Sequence, residues 1–132
     1  MQQQDQDLKT QKILVIEDVP TMRELICWML KQIPGVTVSD AVDSIPAARL
    51  VLDRRRPDLV LLDRVLPGPL GDDLIPYLKS QNIPYFVLVT SDTQSRVGLG
   101  SEPILVKPFG ESTEDLEKDL ARIRDAIVQK RG

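Results

Sequence analysis

Four short apolar runs in this chain each end on polar residues able to do chemistry. They are Ile13-Leu14-Val15-Ile16-Glu17-Asp18, Asp58-Leu59-Val60-Leu61-Leu62-Asp63, Val87-Leu88-Val89-Thr90-Ser91 and Ile104-Leu105-Val106-Lys107-Pro108-Phe109. Runs rich in Val, Ile and Leu read as strands buried on both faces, so the first polar side chain marks where each strand leaves the sheet. Open α/β sheets bind their ligands at that carboxyl edge. Glu17, Asp18 and Asp63 would crowd their charges there, and a cation relieves such repulsion. Magnesium suits the set: it takes a few carboxylates, keeps waters and accepts phosphate oxygens, and the chain has no histidine and a single cysteine to offer zinc. An aspartate that meets a metal through one oxygen can use the other as a nucleophile on phosphorus, which makes Asp63 the candidate nucleophile. Lys107 would supply a point charge and Thr90 a short, repositionable hydrogen bond for the phosphoryl oxygens. Acids after strands also cap helices or face solvent; the weight lies in five such residues on four strand ends.

Strands of this kind need helices between them. Pro20 suits a first helical turn, and Met22, Leu25, Ile26, Met29, Leu30 and Ile33 form a stripe at helical spacing that Pro34-Gly35 ends. Val36 to Val42 reads as a second strand. Ser44 can cap a helix that admits Pro46 in its first turn and stops before Pro57. Leu66 to Gly71, with two prolines and two glycines, reads as a loop, and Asp72-Asp73 opens a third helix through Leu74, Ile75 and Leu78. Tyr85 to Thr90 and Pro103 to Val106 are the last strands. Between them Gln94 to Gly100 offers only Val97 and Leu99 as apolar residues, enough for a short or irregular fourth helix. Ser112 and Asp115 resemble a capping box ahead of Leu116, Leu120, Ile123 and Ile127, a fifth helix. Alternation at these spacings predicts an α/β fold: a five-stranded parallel sheet, doubly wound as (βα)5.

Composition narrows the function. The 132 residues fit one domain, and a net charge of −3 argues against a general nucleic-acid binder, whose mark is a basic excess on one face. Residues 1–11, with five glutamines, read as a disordered lead before a domain over 12–130. Arg54-Arg55-Arg56 could form a phosphate-binding patch, but it falls at a predicted helix end, where cations complement the dipole, and reads rather as a solvated terminus. Cys27 stands alone among Ile26, Trp28 and Met29, so it reads as a small core residue in a protein of the reducing cytoplasm. No signal-like start is present, and no apolar run approaches the roughly 20 residues of a membrane span.

With these landmarks in order, the stretch from Lys12 to Lys130 resembles a response-regulator receiver domain, the flavodoxin-like, chemotaxis-regulator-like phosphoacceptor module of two-component signalling. The resemblance implies that Glu17 and Asp18 organise Mg2+, that Asp63 accepts the phosphoryl group and that the Val65 carbonyl is a further metal ligand. Thr90 would be the switch hydroxyl, and Lys107 the lysine of the motif Lys107-Pro108-Phe109. The expected partner is a sensor histidine kinase or phosphotransfer protein, and the expected output is a changed surface around the fourth helix, fifth strand and fifth helix, not catalysis on a free substrate. Ile104 stands where many receivers carry an aromatic switch residue, and the span from Thr90 to Lys107 is about one helical turn short. These departures favour an alternative, a pseudo-receiver that binds a partner without phosphorylation. A magnesium-dependent phosphohydrolase would need an acid two residues after Asp63, where Val65 stands. The chain reads either as a receiver standing alone or as the N-terminal part of a larger regulator with an output domain. Charged residues of the fifth helix, Glu117, Lys118, Asp119, Arg122 and Arg124, would serve a homodimer or a solvated face equally.

Overall fold

A computed structural model describes residues 10–64, 71–89 and 98–106, together with 118, 119, 121–123, 125 and 126. Five strands, β1 (Gln11–Ile16), β2 (Val36–Val42), β3 (Leu59–Asp63), β4 (Tyr85–Val89) and β5 (Ile104–Val106), alternate with helices α1 (Pro20–Leu30), α2 (Ile45–Arg54) and α3 (Ile75–Ser80). Every strand pair is parallel, in the order β2-β1-β3-β4-β5. That is the flavodoxin-like order, in which the winding direction reverses between β1 and β3. Residues 118–126 add helical backbone at their described positions.

Period-2 alternation sends neighbouring strand residues to opposite faces. Leu14, Ile16, Val60, Leu62, Val87 and Val89 pack one face against Ile45, Ala48 and Leu52 of α2 and Ile75 and Leu78 of α3. Ile13, Val15, Leu59, Leu61, Phe86, Leu88 and Leu105 pack the other against Ile26, Met29 and Leu30 of α1 and against Ile123. The sheet is therefore covered on both sides, as the unbroken apolar runs require.

Local signals act where the sequence puts them. Pro20 is the first residue of α1, and Ser44 caps α2 by accepting the Ala47 N–H at 3.2 Å. Gly71–Leu74 forms a 3-10 turn that leads into α3, with Pro76 in the first turn of that helix.

Several expectations change in detail. Gln11, assigned to the lead, is the first residue of β1; it is buried and donates its N–H to the Gly35 carbonyl at 2.8 Å. The α1 stripe is narrower than its spacing implies, since Leu25 is 37% exposed; Trp28, outside the stripe and beside half-buried Cys27, is exposed as well. Burial pushes the Cys27 thiol pKa up, which keeps it protonated and fits a packing role. The arginine triplet is not a plain solvated end. Arg55 lies 3.6 Å from Asp40 on β2, and Arg56 donates to the Asn82 carbonyl at 3.1 Å, so two of the three tie the end of α2 to the sheet and to the turn before β4. Between β4 and β5, the described residues Gly98 to Pro103 form turns and irregular backbone without helix; of the loop predicted from Leu66 to Gly71, Gly71 instead opens the 3-10 turn, and its other residues, the rest of the predicted fourth helix and the Ser112–Asp115 capping box lie outside the described residues. Among the described residues no helix is long and apolar enough to cross a membrane.

A small polar network was not foreseen at the amino edge of β4 and β5. Tyr85 donates its hydroxyl to Glu102, which also pairs with Lys79 at 3.1 Å. The Tyr85 hydrogen bond, with Lys79, holds the Glu102 carboxyl below its ordinary pKa against the opposing effect of its own desolvation. Burial and the same carboxylate push the Tyr85 hydroxyl up. A depressed carboxyl pKa contributes stability that is complete above its unfolded value, about 4.3, and is lost as pH falls through the lower folded value. Wild type is therefore expected to be more stable than Glu102→Gln at neutral pH, with the gap closing on acidification below about pH 4. Urea titrations of both proteins between neutral and acid pH check this; a gap that stays constant or widens in acid refutes it.

Candidate functional site

The site sits at the reversal point of the sheet. Ile16 of β1 pairs with Leu62 of β3, so Glu17 and Asp63 leave adjacent strands one residue beyond that rung. Glu17, Asp18 and Asp63 each present a carboxylate oxygen, and the three oxygens lie within 4.8 Å of one another. Glu17 is fully buried, Asp63 is only 3% exposed and Asp18 is half-buried. Burying two carboxylates beside a third is costly without compensating charge or hydrogen bonds.

Part of that compensation is built into the backbone. The Glu17 N–H donates to the Val42 carbonyl at 2.9 Å, extending the β1–β2 ladder past the strand end. One Glu17 carboxylate oxygen accepts the Val19 N–H at 3.2 Å, at the start of α1, where the helix dipole favours negative charge. Arg23 of α1 donates to the Glu17 carbonyl at 2.8 Å and brings a cation to the same turn. This role for Arg23 was missed, because a residue on the first helix gives no sequence signal of the backbone carbonyl it meets. Asp63 closes β3, and the next residue, Arg64, donates its N–H to the Leu88 carbonyl of β4 at 3.3 Å, so the strand tip is tied to its neighbour.

The three acids are thus brought together as their positions predicted. Val65, Thr90 and Lys107, the other site residues expected from sequence, lie outside the described residues. Thr90 follows the last residue of β4 directly, and Lys107 the last residue of β5.

The donor set is all oxygen, compact and partly buried, which fits a hard divalent cation of magnesium type and not a softer metal. An acidic pocket of this form, at the carboxyl edge of a 2-1-3-4-5 sheet, narrows the families to which the chain can belong. A family model for the response regulator receiver domain matches residues 13–120. The chain belongs to this family. Among curated relatives, the receiver aligns at 36% identity over 127 residues with the phosphate regulon transcriptional regulatory protein PhoB of Escherichia coli, covering 90% of this chain and 52% of PhoB. It aligns at 32% identity over 125 residues with protein-glutamate methylesterase/protein-glutamine glutaminase 4 of Myxococcus xanthus, covering 88% of this chain and 35% of that protein. The chain thus spans about half or less of the length of these relatives. A solved structure of the Francisella response regulator 1452 receiver domain superposes with a TM-score of 0.70 at 22% identity, over 90% of this chain and 98% of that one, a likeness of fold.

Proposed function

We propose that this receiver domain accepts a phosphoryl group on Asp63 from the phosphohistidine of a sensor kinase or phosphotransfer protein, and that the modification switches a protein-interaction surface. The observation that carries this reading is the trio of carboxylate oxygens within 4.8 Å, with Asp63 almost fully buried at the tip of the central strand. Glu17, Asp18 and Asp63 would hold Mg2+, with the Val65 carbonyl as a further oxygen donor. When bound, the ion supplies positive charge that offsets the crowded acids and the phosphoryl oxygens.

Asp63 then does the chemistry available to a positioned carboxylate. Its free oxygen attacks phosphorus, an O–P bond forms, and the P–N bond to the donor histidine breaks with its electron pair leaving on the imidazole nitrogen. Glu17, fixed by the Val19 N–H, and Asp18 hold their carboxylates beside Asp63. Lys107 would neutralise the phosphoryl oxygens and Thr90 would donate a hydrogen bond to them. The domain would act as a signalling module, with any catalytic or DNA-binding output supplied by a further domain or a downstream protein.

Incubation with acetyl phosphate in the presence of Mg2+, followed by intact mass measurement, tests this. The expected result is one added phosphoryl group per chain, lost when EDTA replaces the metal. Folded protein that gains no phosphoryl group would overturn the reading. The pseudo-receiver would then be preferred, and one observation favours it in advance: the half-buried aliphatic Ile104 occupies the position of the expected aromatic switch.

A further inference from the structure

Gly98 opens the described part of the connection between β4 and β5 with φ at +85°, a conformation that favours glycine. A Cβ added there would lie 3.2 Å from Nη2 of Arg64. Any side chain at position 98 would therefore meet the Arg64 guanidinium. Arg64 is also the residue directly after Asp63, and its backbone is anchored to Leu88 of β4, so its root is fixed while its long side chain spans from the tip of β3 to the connection.

Beyond Gly98 the path continues into the core. Leu99 is buried in the same cluster as Leu62, Val87 and Val89, and Ile104 and Val106 of β5 pack against that cluster. The Glu102 N–H donates to the Leu99 carbonyl at 3.1 Å and closes the turn that leads into β5. One side chain thus links the residue beside the proposed phosphoacceptor to a turn anchored under β5. Ile104 offers no ring or hydroxyl to sense a charge, whereas Arg64 carries a full one.

We propose that Arg64 relays the state of Asp63: a phosphoryl group on Asp63 draws the guanidinium away from its place beside Gly98, and the turn around Leu99, no longer flanked by it, rearranges the start of β5. This rests on the reading of Asp63 as phosphoacceptor. The driving force is electrostatic. Converting a carboxylate to an acyl phosphate adds negative charge and acceptor oxygens, and a planar guanidinium prefers such a group because it can bond it with two N–H donors at once. Arg64 is a positioning residue in this scheme; it transmits the change and takes no part in the transfer.

Hydrogen exchange of the segment 98–106, measured with Mg2+ and with or without beryllofluoride, tests the relay, and adduct formation is followed separately in the same samples by fluorine NMR. Wild type should form the adduct and change its exchange over this segment. Arg64→Met should form the adduct equally well and lose the exchange change, while Arg64→Lys, which keeps the charge without the fork, should retain part of it. If Arg64→Met does not fold, Arg64→Gln decides, since it keeps a polar side chain of similar reach without the charge and the same loss is expected. A full exchange response in Arg64→Met, or in a folded Arg64→Gln, overturns the relay; so does a wild-type adduct with no exchange change. A wild type that forms no adduct overturns the phosphoacceptor reading itself, and the relay with it.

Discussion

Asp63→Asn is expected to abolish phosphoryl acceptance and at the same time to raise the melting temperature of the metal-free protein. Both effects follow from the carboxylate trio. At the 4.8 Å limit of their oxygen spacing, two unit charges repel by about 3–4 kcal/mol at an effective dielectric constant of about 20, and Asp63 takes part in two of the three pairs. The native state has local partners for some of this charge, such as the Val19 N–H on Glu17, so only part of the repulsion is released. A net gain of about 1 kcal/mol, or roughly 3–5 °C in Tm for a domain of this size, is the expected scale. Mg2+ should reverse the ranking. Wild type at a metal concentration about 100 times Kd gains about 2.7 kcal/mol by linkage, whereas the variant, with one charged ligand fewer, gains much less. Melting curves in EDTA and in Mg2+ check both halves. An Asn variant that melts below wild type in EDTA, or that responds equally to Mg2+, would show that the three acids do not act as one cation site.

The second large effect is expected at Leu62→Ala. Leu62 is fully buried in the middle of the sheet, paired on one side with Ile16 and on the other with Val87, and it precedes Asp63. Strands on both sides and helices above leave little freedom to collapse around a truncated side chain. The cost should fall within the range of about 2–5 kcal/mol seen for such truncations, against a total stability of about 5–15 kcal/mol for a domain. Urea unfolding should show the midpoint drop with the m-value unchanged. A loss below about 1 kcal/mol would mean that the face of β3 that carries Leu62 is not packed as described.

The sequence announces the sheet well because a strand buried on both faces admits little but Val, Ile and Leu. β2 matches its predicted bounds, and the other strands differ by a few residues at their ends. The acidic cluster was equally legible, since strands that end in register at one edge bring their next residues together: Glu17 and Asp63 meet because Ile16 pairs with Leu62. What was not legible depends on the far ends of long side chains. Arg55 to Asp40, Lys79 to Glu102 and Arg64 toward Gly98 join residues 15, 23 and 34 positions apart, and no period or local motif encodes them. Leu25 departs from the helical pattern for a different reason. Hydrophobicity favours burial but does not enforce it, and at the margin of an apolar stripe a side chain is left at the surface.

The two outer strands of the sheet have a further consequence. An edge strand presents unpaired N–H and C=O groups that invite another chain to add on. Here the described part of β5 is three residues long. At the opposite edge the register of β2 against β1 slips between Ile13 and Leu14, leaving Ser39 as an extra residue with its hydroxyl directed to the Ile13 carbonyl, 3.4 Å away. Such a bulge bends and twists the strand locally, and Asp40, drawn toward Arg55, puts a charge beside the irregularity. Kinked at its β2 border, the sheet offers a poor template there for an intermolecular ribbon, a protection of shape that adds to the one net charge gives.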